Sequence, residues 1–436
     1  MKKTCLAAIL ILTNYCVFAQ KIEKVITQKY VGELIKTLSS DDMQGRATFT
    51  PGIDKAASFI ENEFKKIGLK PLTGEKSFRQ SFAKVQLKPA ESIVTLNGKT
   101  IDPTNIMAFG NTAENFSLDQ SSRTPIIKLT ASKPFMEQFR SLSRSNKQQV
   151  VLVDPALSSD FKRIKARLDQ GSIVDSKDIT TNPNAIVFIL DPASEALNYK
   201  IVLKNTMLNM PLFNVAGMIP GKSKEKEIVV FSGHYDHLGI IKAVDQDSIA
   251  NGADDDASGT TAVIALAKYY KKLKNNERTL IFVAFTAEEI GGYGSQYFSS
   301  RLNPDDVTAM FNIEMIGKDS KFGQNTAYIT GFDKSDFGAI LQKNLKGTEF
   351  TFNPDPYPEQ NLFYRSDNAT LAALGVPAHT ISTVQIDGDK LYHTVKDEFS
   401  SLDVNNIFST IKGIAKSAGT IVNGTDTPKR IPKLTN

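Results

Sequence analysis

Histidine is scarce in this chain, with four in 436 residues, and two of them, His234 and His237, fall within four positions. They sit in and just after Gly233-His234-Tyr235-Asp236, behind the apolar run Ile228-Val229-Val230-Phe231. Such a run reads as a buried strand, and α/β enzymes keep their chemistry at the carboxyl ends of strands. A His-x-Asp in that place suggests a metal site, and four acidic clusters offer the remaining donors. In Gly252-Ala253-Asp254-Asp255-Asp256-Ala257-Ser258-Gly259, consecutive carboxylates repel one another and become sensible beside a dication. One of them can equally serve as the cap of the helix that follows. Thr286-Ala287-Glu288-Glu289 follows the most apolar strand in the chain, and a metal ligand next to a general base explains the pair. Glu314 is a lone carboxylate inside Asn312-Ile313-Glu314-Met315-Ile316-Gly317, where burial without a partner is strongly disfavoured. Leu391-Tyr392-His393-Thr394, followed by Asp397, is a weaker signal, because a single loop histidine is more often structural. Two His and three carboxylates suffice for two metal ions sharing one bridging Asp. That donor mix suits zinc, and also cobalt or manganese. Paired ions about 3.5–4 Å apart activate water in hydrolases.

The elements around these residues must bring them to one place. From residue 212 onward the pattern alternates strand, loop and helix. Val215–Ile219, Ile228–Phe231, Thr279–Phe285, Met310–Ile313, Ala327–Thr330 and Ala378–Ser382 read as strands. Ser258–Leu273, Tyr293–Arg301, Ser335–Lys346, Asp367–Leu374 and Val404–Val422 read as helices. This predicts an α/β fold with a mixed, largely parallel central sheet flanked by helices. Upstream, Pro51 opens and Gly68 ends an amphipathic helix over 51–69, and 78–87 is a strand. Residues 88–211 change character, with short strands such as Gln149–Val153 and Ala185–Leu190, one helix at Asp160–Asp169, and no His. They read as an inserted smaller α/β domain. The expected organisation is a discontinuous catalytic domain, 20–87 and 212–436, around the insertion 88–211.

Residues 1–19 read as a secretory signal peptide, with Lys2 and Lys3 ahead of an apolar core and Ala19 at the cleavage site. The apolar run is shorter than the roughly 20 residues that a bilayer requires, so no stable membrane anchor is expected. The product would be exported, to a periplasm or beyond. Both cysteines, Cys5 and Cys16, leave with the signal. Any metal is then held by His and carboxylates. Loss of Lys2 and Lys3 lowers the formal charge from +5 to +3, near balance, which argues against a nucleic-acid partner.

Taken in order, these motifs resemble the co-catalytic zinc exopeptidases of metallopeptidase family M-28, which includes bacterial leucyl aminopeptidases. Leu38-Ser39-Ser40-Asp41-Asp42-Met43-Gln44-Gly45-Arg46 with Pro51-Gly52 looks like the family's opening segment, and Asn214–Gly221 like the strand before the His motif. The resemblance implies two zinc ions per chain. His234 and Glu314 would hold one, Glu289 and His393 the other, and Asp255 would bridge them. Glu288 would be the general base, Asp236 would accept from the His234 ring, and Tyr392 would steady the tetrahedral oxyanion. The implied substrates are peptides shortened from the N-terminus, and the insertion would be protease-associated-like. Two positions depart from the family pattern: Glu314 stands where Asp is usual, and Asn368 where Ser-Asp-His is frequent, which points to the substrate pocket. His237 is expected beside the ligands rather than among them, His379 to be a core histidine, and Arg365 with the loop Asp355–Glu359 to line the entrance. Glutamate-carboxypeptidase-like or glutaminyl-cyclase-like activity are alternatives on the same scaffold. A non-catalytic binding protein is another, although every ligand position holds a competent side chain.

Overall fold

The computed structural model describes residues 22–109, 115–145, 147–179, 185–190 and 198–434, so the expected signal segment 1–19 lies outside the described residues. The chain forms two compact units, one of Met1–Phe82 with Leu212–Asn436 and one of Ala83–Pro211. The principal elements, in chain order, begin with α1 (Gln28–Leu38), α2 (Pro51–Ile67), β1 (Arg79–Leu96), β2 (Ile106–Phe109) and β3 (Ile126–Leu129). Next come α3 (Phe135–Ser143), β4 (Gln149–Val153), α4 (Ser158–Leu168), β5 (Ile186–Leu190), β6 (Tyr199–Ile219) and β7 (Lys224–His234). They are followed by β8 (Gly239–Val244), β9 (Asp247–Ala250), α5 (Gly259–Leu273), β10 (Arg278–Phe285), α6 (Tyr293–Ser300) and β11 (Val307–Ile313). The last are β12 (Thr326–Ile329), α7 (Phe337–Asn344), β13 (Thr351–Pro354), α8 (Asn368–Ala373), β14 (Ala378–Ser382) and α9 (Val404–Ser417).

In the first unit the strands run β13-β12-β14-β11-β7-β10, with the end of β6 beside β10. β7 pairs in parallel with both β10 and β11, and β11 with β14; β6 on β10 and β12 on β14 are antiparallel. Every residue of β10 and β11 is buried, as expected of strands covered on both faces. Phe231 explains much of the local order. Its ring stacks on Phe282 of β10, Phe311 of β11 and Tyr270 of α5, at centroid distances of 5.3, 4.9 and 5.4 Å. Each such ring contributes roughly 1.5–3 kcal/mol by leaving water, and the cluster fixes three strand ends relative to α5. α2 begins at Pro51 and stops at Gly68, whose φ of 82° suits the left-handed cap.

The second unit carries a four-stranded sheet, β2-β5-β4-β3, with β2 antiparallel to β5 and the rest parallel. Phe135 of α3 and Phe161 of α4 fill one face beside Val151, Val153 and Phe188.

Several elements differ from the sequence expectation. β1 extends to Leu96 and β6 starts at Tyr199, far beyond the 78–87 and 215–219 segments expected. Exposed polar residues on both strands break the apolar signal, while pairing to neighbours keeps them extended. The hairpin β8–β9 and strand β13 were not anticipated, being short and largely surface-facing. The closing helix divides after Ser417, with a separate turn at Gly419–Val422. Among the described residues no helix is long and apolar enough to cross a membrane.

Candidate metal centre

The candidate residues gather at the carboxyl ends of β7, β10 and β11 and in two loops. His234 ends β7 and is 1 % exposed. Its backbone N–H donates to Asp256 Oδ2 (3.2 Å) and its carbonyl accepts from Thr260 Oγ1 (2.7 Å). Asp256 also accepts from Gly259 N (3.0 Å) and Met315 N (3.1 Å), so this is the aspartate that caps α5. Asp255, joined to Asp256 by a cis peptide, turns the other way. Its Oδ1 lies 3.1 Å from His234 Nε2, and its Oδ2 lies 3.3 Å from His393 Nε2 and 3.7 Å from His237 Nδ1. Glu289 meets His393 Nε2 at 3.1 Å and His237 Nδ1 at 2.7 Å. Donor atoms of His237, Asp255 and Glu289 all lie within 4.8 Å of one another. His237 is expected beside the ligands, yet with Asp255 and Glu289 it forms a three-donor group that could itself hold an ion.

The Asp236 carboxylate does not take the bond expected from His234. The imidazole Nδ1 lies 3.1 Å from the Asp236 backbone carbonyl, while the nearest carboxylate oxygen is 3.8 Å away. That carboxylate accepts instead from the amides of Glu288 (3.1 Å) and Glu289 (3.3 Å), pinning the end of β10 to the end of β7. A bond within the His-x-Asp backbone is geometrically cheaper than folding the Asp side chain back, which frees the carboxylate for the neighbouring strand.

Beneath the cluster lies Arg46, with no exposed surface. Its guanidinium donates to the carbonyls of Tyr235 (2.8 Å), Leu38 (2.8 Å), Asn251 (2.6 Å), Gly252 (2.9 Å) and Asp255 (3.5 Å). It therefore ties the His234 loop to the Asp255 loop through backbone alone. Asp397 completes the frame: its carboxylate accepts from Asp254 N (3.0 and 3.1 Å) and Asp255 N (3.1 Å). Both belonged to recognisable sequence segments, but nothing in the sequence placed them under the site.

Glu288, Glu314, Asp255 and Tyr392 border one cavity of about 230 Å³, whose wall also holds Leu362, Val384, Ile386 and Arg365. Of the loop Asp355–Glu359 expected at the entrance, no residue lines it. Glu314 is partly buried, and among the described residues no ion pair joins it to a histidine. Tyr392 is 49 % exposed and stacks on His393, ring centroids 3.8 Å apart. Asn368 does not line the cavity. It is fully buried and donates to the carbonyls of Phe363 and Ala378, so its departure serves packing against β14. His379 is a core histidine between Thr330 O and Ser335 Oγ.

The electrostatics favour a bound cation. Burial pushes the Glu288 carboxyl up to about 10, opposed by His234 and reinforced by Glu314 and Asp367. Burial likewise lifts Asp236 to about 6 and Asp367 to about 7. His393 is raised to about 10 by its contacts with Asp255 and Glu289. Loss of water is the largest cause in all three acids, and neighbouring carboxylates add to it, whereas Asp255 and Glu289 are lowered by the histidines beside them. Nε2 of His234, Nε2 of His393 and Oε2 of Glu314 are buried without a hydrogen-bond partner. The approaches of His234 and His393 to the carboxylates therefore lack hydrogen-bond geometry and leave lone pairs facing the interior, whereas His237 Nδ1 bonds Glu289. An imidazole and carboxylate set of this kind fits zinc.

Residues 214–418 match the family model described as Peptidase family M28. A leucine aminopeptidase 1 of Ajellomyces capsulatus is 27 % identical over 215 residues, covering 46 % of this chain and 54 % of that protein. A probable zinc metalloprotease of Leptosphaeria maculans is 34 % identical over 106 residues, 24 % of each chain. The chain thus spans about half, or less, of the length of the curated relatives it matches. Among solved structures, an aminopeptidase from Aneurinibacillus sp. strain AM-1 superposes with a TM-score of 0.53 at 20 % identity, covering 95 % of this chain and 97 % of that one. A peptidase M28 precursor from Shewanella amazonensis gives 0.52 at 15 % identity, with 97 % and 99 % covered. These likenesses establish the fold. Residues 214–418, which hold His234, Asp255, Glu289 and His393, are thus the part of the chain that is similar to peptidase family M28.

Proposed function

We propose that the protein is an exported zinc aminopeptidase that removes N-terminal residues from peptides. The observation carrying this reading is the convergence of His234, Asp255, Glu289 and His393, with the imidazole Nε2 atoms lacking hydrogen-bond partners. His234, Glu314 and Asp255 would hold one zinc and Asp255, Glu289 and His393 a second. When bound, zinc supplies a Lewis acid that lowers the pKa of water and polarises a carbonyl. His237 donates to Glu289 and fixes the direction of that carboxylate. Glu288, at the cavity wall, takes the proton of the attacking water and passes it to the leaving amine. Tyr392 lies on the same wall and would steady a developing oxyanion. The apolar stretch of Leu362, Val384 and Ile386 suits a branched apolar first side chain.

The relatives' printed names agree with aminopeptidase and zinc metalloprotease chemistry. The unit Ala83–Pro211 holds none of the site residues, and we read it as the insertion expected from the sequence. The test is metal content together with cleavage of leucine amides. Two zinc ions per chain and cleavage confined to the free-amine substrate are expected. Equal cleavage of the N-acetylated substrate, or a purified chain that takes up no zinc, would sink the proposal.

A further inference from the structure

His393 sits on a loop whose position is not dictated by the sheet. Its backbone is left-handed at φ 58°, costly for a side chain of this type by roughly 1–2 kcal/mol. Around His393 the loop carries short internal bonds, from Thr394 N (3.1 Å) and Thr394 Oγ1 (2.7 Å) to Leu391 O, and past it Asp397 accepts from Asp254 N and Asp255 N. On the side before His393 the tie is Asp389. One carboxylate oxygen accepts from Leu391 N (2.7 Å) and the other meets Lys318 Nζ (2.7 Å). Lys318 Nζ also lies 3.2 Å from Asp254 Oδ2, whose second oxygen accepts from Gly317 N (2.7 Å). The Asp389 side chain is 6 % exposed and Asp254 is fully buried, so Lys318 is the cation that lets the two approach. Asn406 Nδ2 donates to the Lys318 carbonyl (2.6 Å) and anchors this residue to α9.

We propose that Lys318 is a positioning residue, a clamp that joins the Tyr392–His393 loop to the Asp254–Asp255 turn and so sets where His393 stands over the cavity. This rests on the reading of His393 as a zinc ligand. Lys318 touches neither substrate nor ligand; it acts through Asp389 and Asp254. Without it, two buried carboxylates face each other and the loop is pushed outward. Because Lys390 is exposed within the loop, a loosened loop offers trypsin a cut after Lys390.

The experiment measures zinc release to a chromogenic chelator, kcat and KM, and tryptic cleavage after Lys390 in the full chain. Lys318→Met should weaken zinc retention and lower kcat by about 10–100-fold, the range for outer partners of metal ligands, with KM nearly unchanged. Cleavage after Lys390 should rise ahead of cleavage elsewhere. Lys318→Arg should restore most of the loss. Asp389→Asn added to Lys318→Met should cost little more, because both act through one contact. The clamp is refuted if Lys318→Met lowers only the melting temperature, with zinc retention and kcat intact, or if the two substitutions multiply. His393→Ala separates the levels. If the wild type holds no zinc, or His393→Ala holds it as tightly, the metal reading and the clamp fall together. If His393→Ala loses zinc and Lys318→Met does not, only the clamp falls.

Discussion

Two of the histidines that approach Asp255, His234 and His393, are held in opposite ways. His234 ends a central strand, is 1 % exposed, and is fixed through its own backbone to Asp256 and Thr260. Its loop rests on Arg46, which contacts only carbonyls. His393 has a side chain 35 % exposed, lies outside regular structure, and depends on side-chain ion pairs two steps away. One half of the site is thus set by sheet register and backbone, and the other by charge. Rigid placement suits the donor that must already be in position. A loop held by charge can be retuned without disturbing the core.

The largest expected effect belongs to a residue that serves both halves. Glu288→Gln should lower kcat by roughly 10²–10⁴-fold, the usual contribution of a general base. Zinc content should be unchanged, as read by metal analysis. A small loss would mean that neither half directs the chemistry through Glu288. Next is the backbone-held half. Arg46→Met should destabilise the protein by roughly 3–5 kcal/mol in urea unfolding, because several buried carbonyls lose their donor together. A loss below about 1 kcal/mol would break the comparison at its base.

His379 sharpens it from outside the site. Like His234 it is a strand histidine, but it lies among Phe337 and Phe363 rather than carboxylates. Burial drives it down from the ordinary 6.5 to about 4, opposed by its bond to Thr330 O. The unfolded chain therefore binds a proton that the folded one refuses between those values. Stability should be full above pH 6.5 and fall as the pH drops toward 4, by about 2 kcal/mol between pH 7 and 5. Urea midpoints of wild type and His379→Gln at both pH values check this, and the variant should show a smaller drop. The smallest effect is expected in the charge-held half. Asp389→Asn should cost about 1 kcal/mol in stability, since the amide oxygen can still accept from Leu391 N and Lys318 keeps Asp254 as its partner. A cost rivalling Arg46→Met would erase the distinction between the halves.

The same division explains what could be read in the sequence. His234, Glu288, Glu289 and Glu314 follow apolar strands, so their location at strand ends was legible from pattern alone. Asp255 was legible as one of three, but which aspartate caps the helix and which faces the histidines depends on backbone geometry at that turn. The partner of the Asp236 carboxylate is not legible in the sequence, because its contacts lie just past the neighbouring strand, 52 residues on. Arg46 and Lys318 carry no local signal: a lone cation looks like surface until the fold buries it. The long strands β1 and β6 escaped for a related reason, since pairing rather than apolar spacing extends them.

Asp255 shows what such framing permits. Its N–H is held by Asp397 and its carbonyl is reached by Arg46, so both peptide groups that flank its side chain are fixed. The position behaves as a socket. An exchanged side chain there alters which atoms are presented, while the point from which they are presented stays put. For an engineer who wants another ion or another reaction in this fold, residue 255 is the place where chemistry can be swapped without redrawing the architecture.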